Sequence, residues 1–290
     1  MTQRASRYNL RGPDGSSFLP VGVAPTNLED LCVNVFVTVK QTPDPNATPK
    51  LGDNHRLVRD GVELVMDQGD EYGVEEGLQL AEKTGGQVTV VSMGPEKAND
   101  AIRKALSMGA ESGILITDPA LAGSDALGTA RAIAAAVKDK GFDILICGTE
   151  SFDGSTGMVP PQVAEILGVP HLSFAKKLDV EGNKVTVQRQ TADGYVTLEA
   201  ETPVVVTVTG GLNEPRYPTL KGIMGAKSKT VETLDAAALG LDAGSVGEAG
   251  ALVKVESVEA APERQAGEVI TDEGQSGERV AALLVELKVL

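Results

Sequence analysis

Short apolar runs rich in Val and Ile alternate with helix-like segments along the first half of the chain, and this alternation constrains the fold more than any other feature. The runs that predict strands are residues 33–39, 87–93, 114–117 and 143–147. The segments that predict helices are residues 70–83, 96–107, 124–138 and 156–167. Strands separated by single helices form a parallel sheet with helices on its faces, and such sheets bind ligands at the carboxyl ends of their strands. We therefore expect an α/β, Rossmann-like fold.

The pattern changes in the second half of the chain. Turn residues at Gly182-Asn183 and Asp193-Gly194 separate short strands, which predict an antiparallel extension of the same sheet. These strands are residues 174–178, 184–190, 195–200 and 204–208. Earlier in the chain, Asp60-Gly61 predicts a hairpin between residues 56–58 and 62–65.

The C-terminal part reads as an arm rather than as part of the sheet. A short helix is expected at residues 220–227, and residues 235–268 are rich in Ala, Gly and Glu and partly irregular. Residues 276–288 predict a helix with one apolar face, which either docks on a partner subunit or packs on its own domain. The expected division is residues 1–32 as an extension, 33–234 as the α/β domain and 235–290 as the arm.

Charge and composition exclude several classes of function. The formal net charge is -15, which repels the phosphate backbone of nucleic acids and fits anionic membrane surfaces poorly. The chain has two histidines and two cysteines, Cys32 and Cys147, without metal-ligand spacing, so no metal site is expected. We expect both thiols to be buried, as in a cytoplasmic protein. No apolar run is long enough to span a membrane, and residues 1–32 lack a signal peptide's apolar core, so we interpret them as a mobile extension or as sequence upstream of a misassigned start.

A glycine-rich loop at residues 148–157 is the strongest candidate for ligand binding. It follows the fourth predicted strand and precedes a helix, so Ser155 and Thr156 could cap that helix or contact a phosphate. Thr38 and Met93 end two other strands at the same edge of the sheet, and convergence of three strand ends favours a nucleotide crevice. An ordinary capped loop is the alternative.

The polar residues around this crevice leave their roles open. Lys40 could pair with a phosphate or lie in solvent, and Asp67 and Glu75 could bind a ribose hydroxyl or, more simply, face water. Ser151 and Ser155 have no recognisable histidine partner, so the residues indicate nucleotide binding without catalytic machinery.

The segment from Gly211 to Lys227 contains Asn213-Glu214-Pro215-Arg216-Tyr217 and Ile223-Met224-Gly225-Ala226-Lys227. It closely resembles a long signature of electron transfer flavoprotein β subunits. Residues 39–44, 74–78 and 101–110 agree with the same family in order, and Ile270-Thr271-Asp272-Glu273-Gly274 resembles its actinobacterial-type branch. The resemblance covers residues 33–290 and leaves the first 32 unmatched.

The resemblance implies an electron carrier subunit rather than an enzyme. Such a β subunit has an adenine-nucleotide-binding, Rossmann-like domain and pairs with an α subunit that holds most of one FAD. It binds a structural AMP itself. Electrons come from acyl-CoA dehydrogenases and related flavin dehydrogenases, and they leave to a membrane quinone oxidoreductase of the respiratory chain.

By position, the resemblance assigns AMP contacts to Thr38, Asp67, Met93, Asp153, Gly154, Ser155 and Thr156. It assigns partner recognition to Leu220. The chain departs from the mitochondrial type at Asp67-Gln68-Gly69, in a shorter loop after Asp153, and at Gln190, where that type has a glutamate.

Two other functions remain open from sequence. The first is an electron-bifurcating family member with a second FAD in this subunit and NADH as the donor. The second is an adenine-nucleotide-dependent enzyme of similar fold, although the Ser-Gly-Gly-x-Asp-Ser loop usual in that class is absent from the sequence.

Overall fold

The computed structural model describes residues 32–52, 55–259, 267, 269–272 and 274–290. They divide into two compact units, one ending at Lys254 and the other comprising Val255–Leu290. The predicted N-terminal extension lies, apart from Cys32, outside the described residues.

Strands and helices alternate through the first unit as the apolar pattern requires. The strands are β1 (Asn34–Thr38), β2 (Gln41–Pro43), β3 (Leu64–Met66), β4 (Gln87–Met93), β5 (Ser112–Ile116), β6 (Ile144–Gly148), β7 (His171–Glu181), β8 (Lys184–Thr191), β9 (Gly194–Glu201), β10 (Val204–Val208) and β11 (Val231–Leu234). The α-helices are α1 (Gln68–Thr84), α2 (Asn99–Met108), α3 (Ala126–Val137), α4 (Val159–Leu167), α5 (Leu220–Ala226) and α6 (Gly247–Gly250), with α7 (Ser276–Glu286) in the second unit. Single 3-10 turns lie at Glu96–Ala98, Pro119–Leu121 and Ala243–Ser245.

The described residues form one nine-stranded sheet in the order β11-β5-β4-β1-β6-β10-β7-β8-β9. The strands from β11 to β7 pair in parallel, and β8 and β9 add antiparallel neighbours at one edge. The parallel α/β fold predicted from the alternation is therefore confirmed.

Helices cover both faces of the parallel strands. Val35 and Val37 of β1 belong to the core cluster shared with α1 and α2, whereas Phe36 belongs to the cluster shared with α3 and α4. Strands buried on both faces favour continuous β-branched runs, which explains the composition of β6 and β10.

Two glycines let α1 lie close to the sheet. A side-chain carbon at Gly77 would lie 3.0 Å from Val37, and one at Gly73 would lie 3.3 Å from Ile146. Glycine in a helix costs about 1 kcal/mol relative to alanine, so α1 gives up local stability for close packing on β1 and β6.

Two of the strand predictions were wrong. Residues 204–208 are not part of the antiparallel extension, because β10 inserts between β6 and β7 and is parallel to both. The expected hairpin around Asp60-Gly61 is absent from the described residues, since β3 pairs instead with β2 and Leu57 bridges to Leu51. The partners of β10 and the strand β2 that pairs with β3 lie too far along the chain for turn signals to identify them.

Two smaller differences concern the exposure of a thiol and a strand at the edge of the sheet. Cys32 is exposed, so only Cys147 is a buried thiol as expected. Strand β11 was missed because Val231–Leu234 alternates weakly at the sheet's edge. In the part of the chain that the structure describes, no helix is both long and apolar enough to cross a membrane.

In the second unit, α7 has the predicted amphipathic sequence, and none of its residues is buried.

Candidate functional site

A cleft of about 920 Å³ opens at the carboxyl ends of the central parallel strands. Thr38 at the end of β1, Met93 at the end of β4 and Gly148 at the end of β6 line it. Gly154 and Thr156, from the loop after β6, form part of its wall. The convergence of three strand ends expected from the sequence is thus present.

Asp67 does not line the cleft, but it holds the loop after β6 in place. It is the N-cap of α1, where its Oδ1 accepts a hydrogen bond from the Gly69 amide (2.9 Å). Its Oδ2 accepts from the Phe152 amide (2.7 Å), and only 3% of Asp67 is exposed. One buried carboxylate therefore joins the start of α1 to the loop. The interpretation that Asp67 faces water is wrong.

Asp153 is the buried partner of two cations. Its side chain is 2% exposed and forms an ion pair with Lys40 Nζ (2.6 Å) and another with the Arg59 guanidinium. Lys40 Nζ also donates to Ser151 Oγ (3.1 Å). Burial opposes ionisation of Asp153, but Lys40 and Arg59 outweigh it and hold the pKa of this carboxyl below its ordinary value.

Asp70 is a second buried carboxyl, and it lines the cleft. Its Oδ2 accepts a hydrogen bond from the Lys40 backbone amide (2.7 Å). Burial and the nearby Asp67 raise the pKa of Asp70 well above its ordinary value. A side-chain carbon at Gly148 would lie 2.6 Å from Asp70 Oδ1, so glycine is needed there for Asp70 to reach its position.

The loop does not cap the following helix in the expected way. Helix α4 begins at Val159 behind Met158, so neither Ser155 nor Thr156 is its cap residue. Its next two residues, Pro160 and Pro161, have no N–H group to offer an anion. The helix prediction from residue 156 was therefore early, and α4 is a weaker anion site than the sequence indicated.

The residues assigned to the nucleotide divide into two sets. Thr38, Met93, Gly154 and Thr156 line the cleft. Asp67, Asp153 and Ser155 are not among its lining residues, and the first two hold the loop in place through hydrogen bonds and ion pairs. Sequence reasoning missed Arg59, whose only signal was its place beside the Asp60-Gly61 turn.

Glu75 belongs to a different part of the surface. It is buried and paired with Arg216, so neither the ribose interpretation nor the solvent interpretation describes it. The Arg216 segment leads into α5, whose first residue, Leu220, is 76% exposed. Leu220 is therefore not a core residue. Gln190 lies on β8 and is exposed.

Within the described residues, no group of three or more His, Cys, Asp or Glu side chains is placed to hold a metal ion.

Comparison with known proteins gives consistent matches. Residues 55–239 match the electron transfer flavoprotein domain. The chain is 42% identical to electron transfer flavoprotein subunit beta of Mycobacterium tuberculosis over 264 residues, which cover 89% of this chain and 99% of that protein. It is 43% identical to the Mycobacterium leprae subunit, with the same coverage, and 38% identical to that of Megasphaera elsdenii, over 88% of this chain and 97% of that protein.

Proposed function

The chain belongs to the electron transfer flavoprotein family as a β subunit, and from that premise we propose that it is the nucleotide-binding half of a heterodimeric electron carrier. The observation that carries this proposal is the cleft at the carboxyl ends of β1, β4 and β6, which is where α/β sheets bind nucleotides.

AMP is the nucleotide that we propose for this cleft, and the residues present fit it. Gly154 and Gly157 give a ligand close access to the loop backbone, and Gly157 has a positive φ of 60° that suits glycine. The Thr38 and Thr156 hydroxyls, and the Lys40 ammonium that also pairs with Asp153, are polar groups of the cleft that suit a ribose or a phosphate. Met93 offers an apolar surface to a base.

Asp67 and Asp153 would act on the nucleotide indirectly. They hold residues 151–153 against α1, Lys40 and Arg59, so the glycine-containing part of the loop has a fixed starting point. Ser155 has a positive φ of 45° and donates its backbone amide to the Ser151 carbonyl (2.8 Å), which forms the turn leading to Thr156. We propose that Asp67, Asp153 and Ser155 determine the conformation of the loop rather than contact the nucleotide.

FAD is the redox group of the proposed heterodimer, and it supplies the capacity to accept electrons and pass them on. The α subunit would hold most of it, with this chain lying against the ring. The work of this chain is then to bind the α subunit, order the nucleotide and present a docking surface.

The proposed docking surface is the outer face of α5 together with Tyr217, which lies three residues before the helix. Tyr217 is 91% exposed, Leu220 76% and Met224 68%. Large exposed apolar side chains that lie close together mark an interaction site. We propose that acyl-CoA dehydrogenases and related flavin dehydrogenases bind here, that a quinone oxidoreductase receives the electrons, and that the heterodimer works in the cytoplasm.

Nucleotide extraction tests this function directly. The chain would be co-expressed with its α subunit, purified as a heterodimer and denatured, and the released nucleotides quantified by chromatography. We expect one FAD and one AMP per heterodimer. Two FAD and no AMP would establish the bifurcating alternative, and NADH would then reduce the protein. Failure to form a heterodimer, with release of a single ATP or other nucleotide, would favour the separate class of adenine-nucleotide enzymes.

A further inference from the structure

We propose that Arg216 and Glu75 are positioning residues for partner recognition: they clamp the segment before α5 onto α1 and so fix the direction in which Leu220 and its neighbours face. This inference rests on the proposed docking function of α5 and adds the device that holds the docking helix ready.

The clamp is a closed set of charge-assisted hydrogen bonds. Arg216 Nε donates to Glu75 Oε2 (2.8 Å) and Nη2 donates to Oε1 (3.0 Å), which is the two-pronged geometry that arginine forms with carboxylates. The Arg216 backbone amide donates to Glu75 Oε2 as well (3.1 Å). Arg216 Nη1 also reaches Glu82 Oε1 (2.5 Å). Both the side chain and the main chain of Arg216 are therefore held.

Glu75 is a buried residue of α1, and its carboxylate does not face solvent. Its side chain is only 4% exposed, and Gln79 Nε2 donates to its Oε1 (2.8 Å). Burial opposes its ionisation, but hydrogen bonds from Arg216 and Gln79 prevail and lower the pKa of Glu75. A buried carboxylate without its arginine would be strongly unfavourable, so the pair specifies one placement of the segment.

A second contact acts beside the clamp. Asn213 Nδ2 donates to the Tyr72 carbonyl (3.1 Å) and to Glu76 Oε2 (3.0 Å). The residues of α1 that bind Asn213 and Arg216 lie on one face of the helix because of their spacing: Tyr72, Glu75, Glu76 and Glu82. Residues 213 and 216 are therefore both held on that face.

The far end of α5 is anchored separately. Arg103 Nη1 donates to the carbonyls of Ala226 (2.6 Å) and Lys229 (2.9 Å). Lys229 Nζ donates to the Ala110 carbonyl (2.5 Å). An isolated seven-residue helix is not stable in water, so these attachments, together with the clamp, impose the conformation of α5.

The residues that hold the segment before α5 in place differ from the exposed residues that would contact a partner. Arg216 binds Glu75 at the surface of α1, whereas Tyr217, Leu220 and Met224 face solvent. A surface held in its binding conformation loses less conformational entropy on association, so loosening the clamp should weaken docking without removing any contact residue.

The test combines amide hydrogen exchange with docking kinetics on the intact heterodimer. The variants are Arg216→Gln, Arg216→Lys and Glu75→Gln, with Lys140→Gln as a control for the loss of an exposed ion pair, because Lys140 pairs with Glu232 away from α5. Docking would be measured as electron transfer from a purified medium-chain acyl-CoA dehydrogenase reduced by octanoyl-CoA, with the heterodimer as the varied substrate.

We expect Arg216→Gln to accelerate exchange of the amides of residues 217–226 by about tenfold and to raise KM for the heterodimer by a similar factor. A tenfold change in an equilibrium corresponds to the net contribution of about one hydrogen bond. The kcat and flavin content should stay near wild type. Arg216→Lys should recover part of the loss, because lysine keeps the charge but not the two-pronged geometry. Lys140→Gln should change neither readout.

Leu220→Ala separates the two proposals. If it leaves KM unchanged, α5 is not the docking surface and the proposed function is wrong at this site. If Leu220→Ala raises KM while Arg216→Gln and Glu75→Gln leave both exchange and KM unchanged, only the positioning proposal is overturned. If Arg216→Gln fails to fold, Glu75→Gln and Arg216→Lys carry the same comparison.

Discussion

Two glycines three residues apart in α5 should respond oppositely to the same substitution. A methyl group at Gly222 would lie within 3.0 Å of the Ser107 carbonyl oxygen, at the carboxyl end of α2. At Gly225, no atom outside its own helix lies within 4 Å of that position in the described chain. The pair therefore separates close packing of α5 on α2 from intrinsic helix propensity.

The magnitudes follow from these distances. Gly225→Ala gains helix propensity without a clash and should stabilise by about 0.5 kcal/mol, at the low end of the usual range because Gly225 lies near the helix end. Gly222→Ala gains a similar amount but introduces a clash with a backbone atom, which cannot rotate away. Overpacking costs about 1–3 kcal/mol, so the net loss should be about 1–2 kcal/mol.

Thermal unfolding of the heterodimer, at matched protein concentration, measures both effects. We expect Gly222→Ala to lower the melting temperature by about 2–5 °C and Gly225→Ala to leave it unchanged or slightly higher. Exchange of the amides of residues 217–226 would report whether α5 has moved. Equal stability of the two variants would refute the argument that α5 is seated on the Ser107 carbonyl.

The remaining predictions concern the nucleotide loop and the arm. Asp153→Asn should destabilise by about 1–3 kcal/mol at neutral pH, less than a fully buried pair because its two cations are partly exposed. The folded pKa of Asp153 is lowered, so its contribution is present above about pH 4 and is lost as pH falls further. The difference between variant and wild type in urea titrations should therefore shrink toward pH 3, and a constant difference would contradict this. Gly154→Val should expel AMP on extraction and weaken heterodimer assembly before it alters the flavin spectrum, because a bound nucleotide stabilises the folded state; full AMP retention would remove Gly154 from the site. Deleting residues 276–290 should weaken α-subunit binding in a calorimetric titration, and unchanged affinity would show that α7 is not a docking element.

The parallel sheet could be predicted because its signal is local. Residues 33–39 and 87–93 read as buried strands from their own side chains, and single helices between strands leave few topologies. The position of β10 could not be predicted in the same way. It follows β8 and β9 in the chain but pairs with β6 and β7, and nothing in the sequence Val204–Val208 encodes that return.

The cleft was predictable for the same reason, whereas its supporting contacts were not. Thr38, Met93 and Thr156 lie at strand ends or in the loop, so topology alone brings them together. Arg59 and Asp153 are 94 residues apart, and each resembles an ordinary surface charge in sequence. Glu75 likewise resembles a solvent-facing helix residue in sequence, because its partner Arg216 is 141 residues away along the chain.

The outward face of α5 has a consequence for how such a protein can change over generations. Tyr217, Leu220 and Met224 contribute little to the buried core, while the groups that secure the helix, such as Arg216 and Arg103, are partly buried and bonded to other parts of the domain. If dehydrogenases dock on α5 as proposed, mutations at the three exposed positions can alter which dehydrogenase is recognised with little penalty in folding. A lineage could exchange one redox partner for another by substitution on this short helix, without rebuilding the domain that carries it.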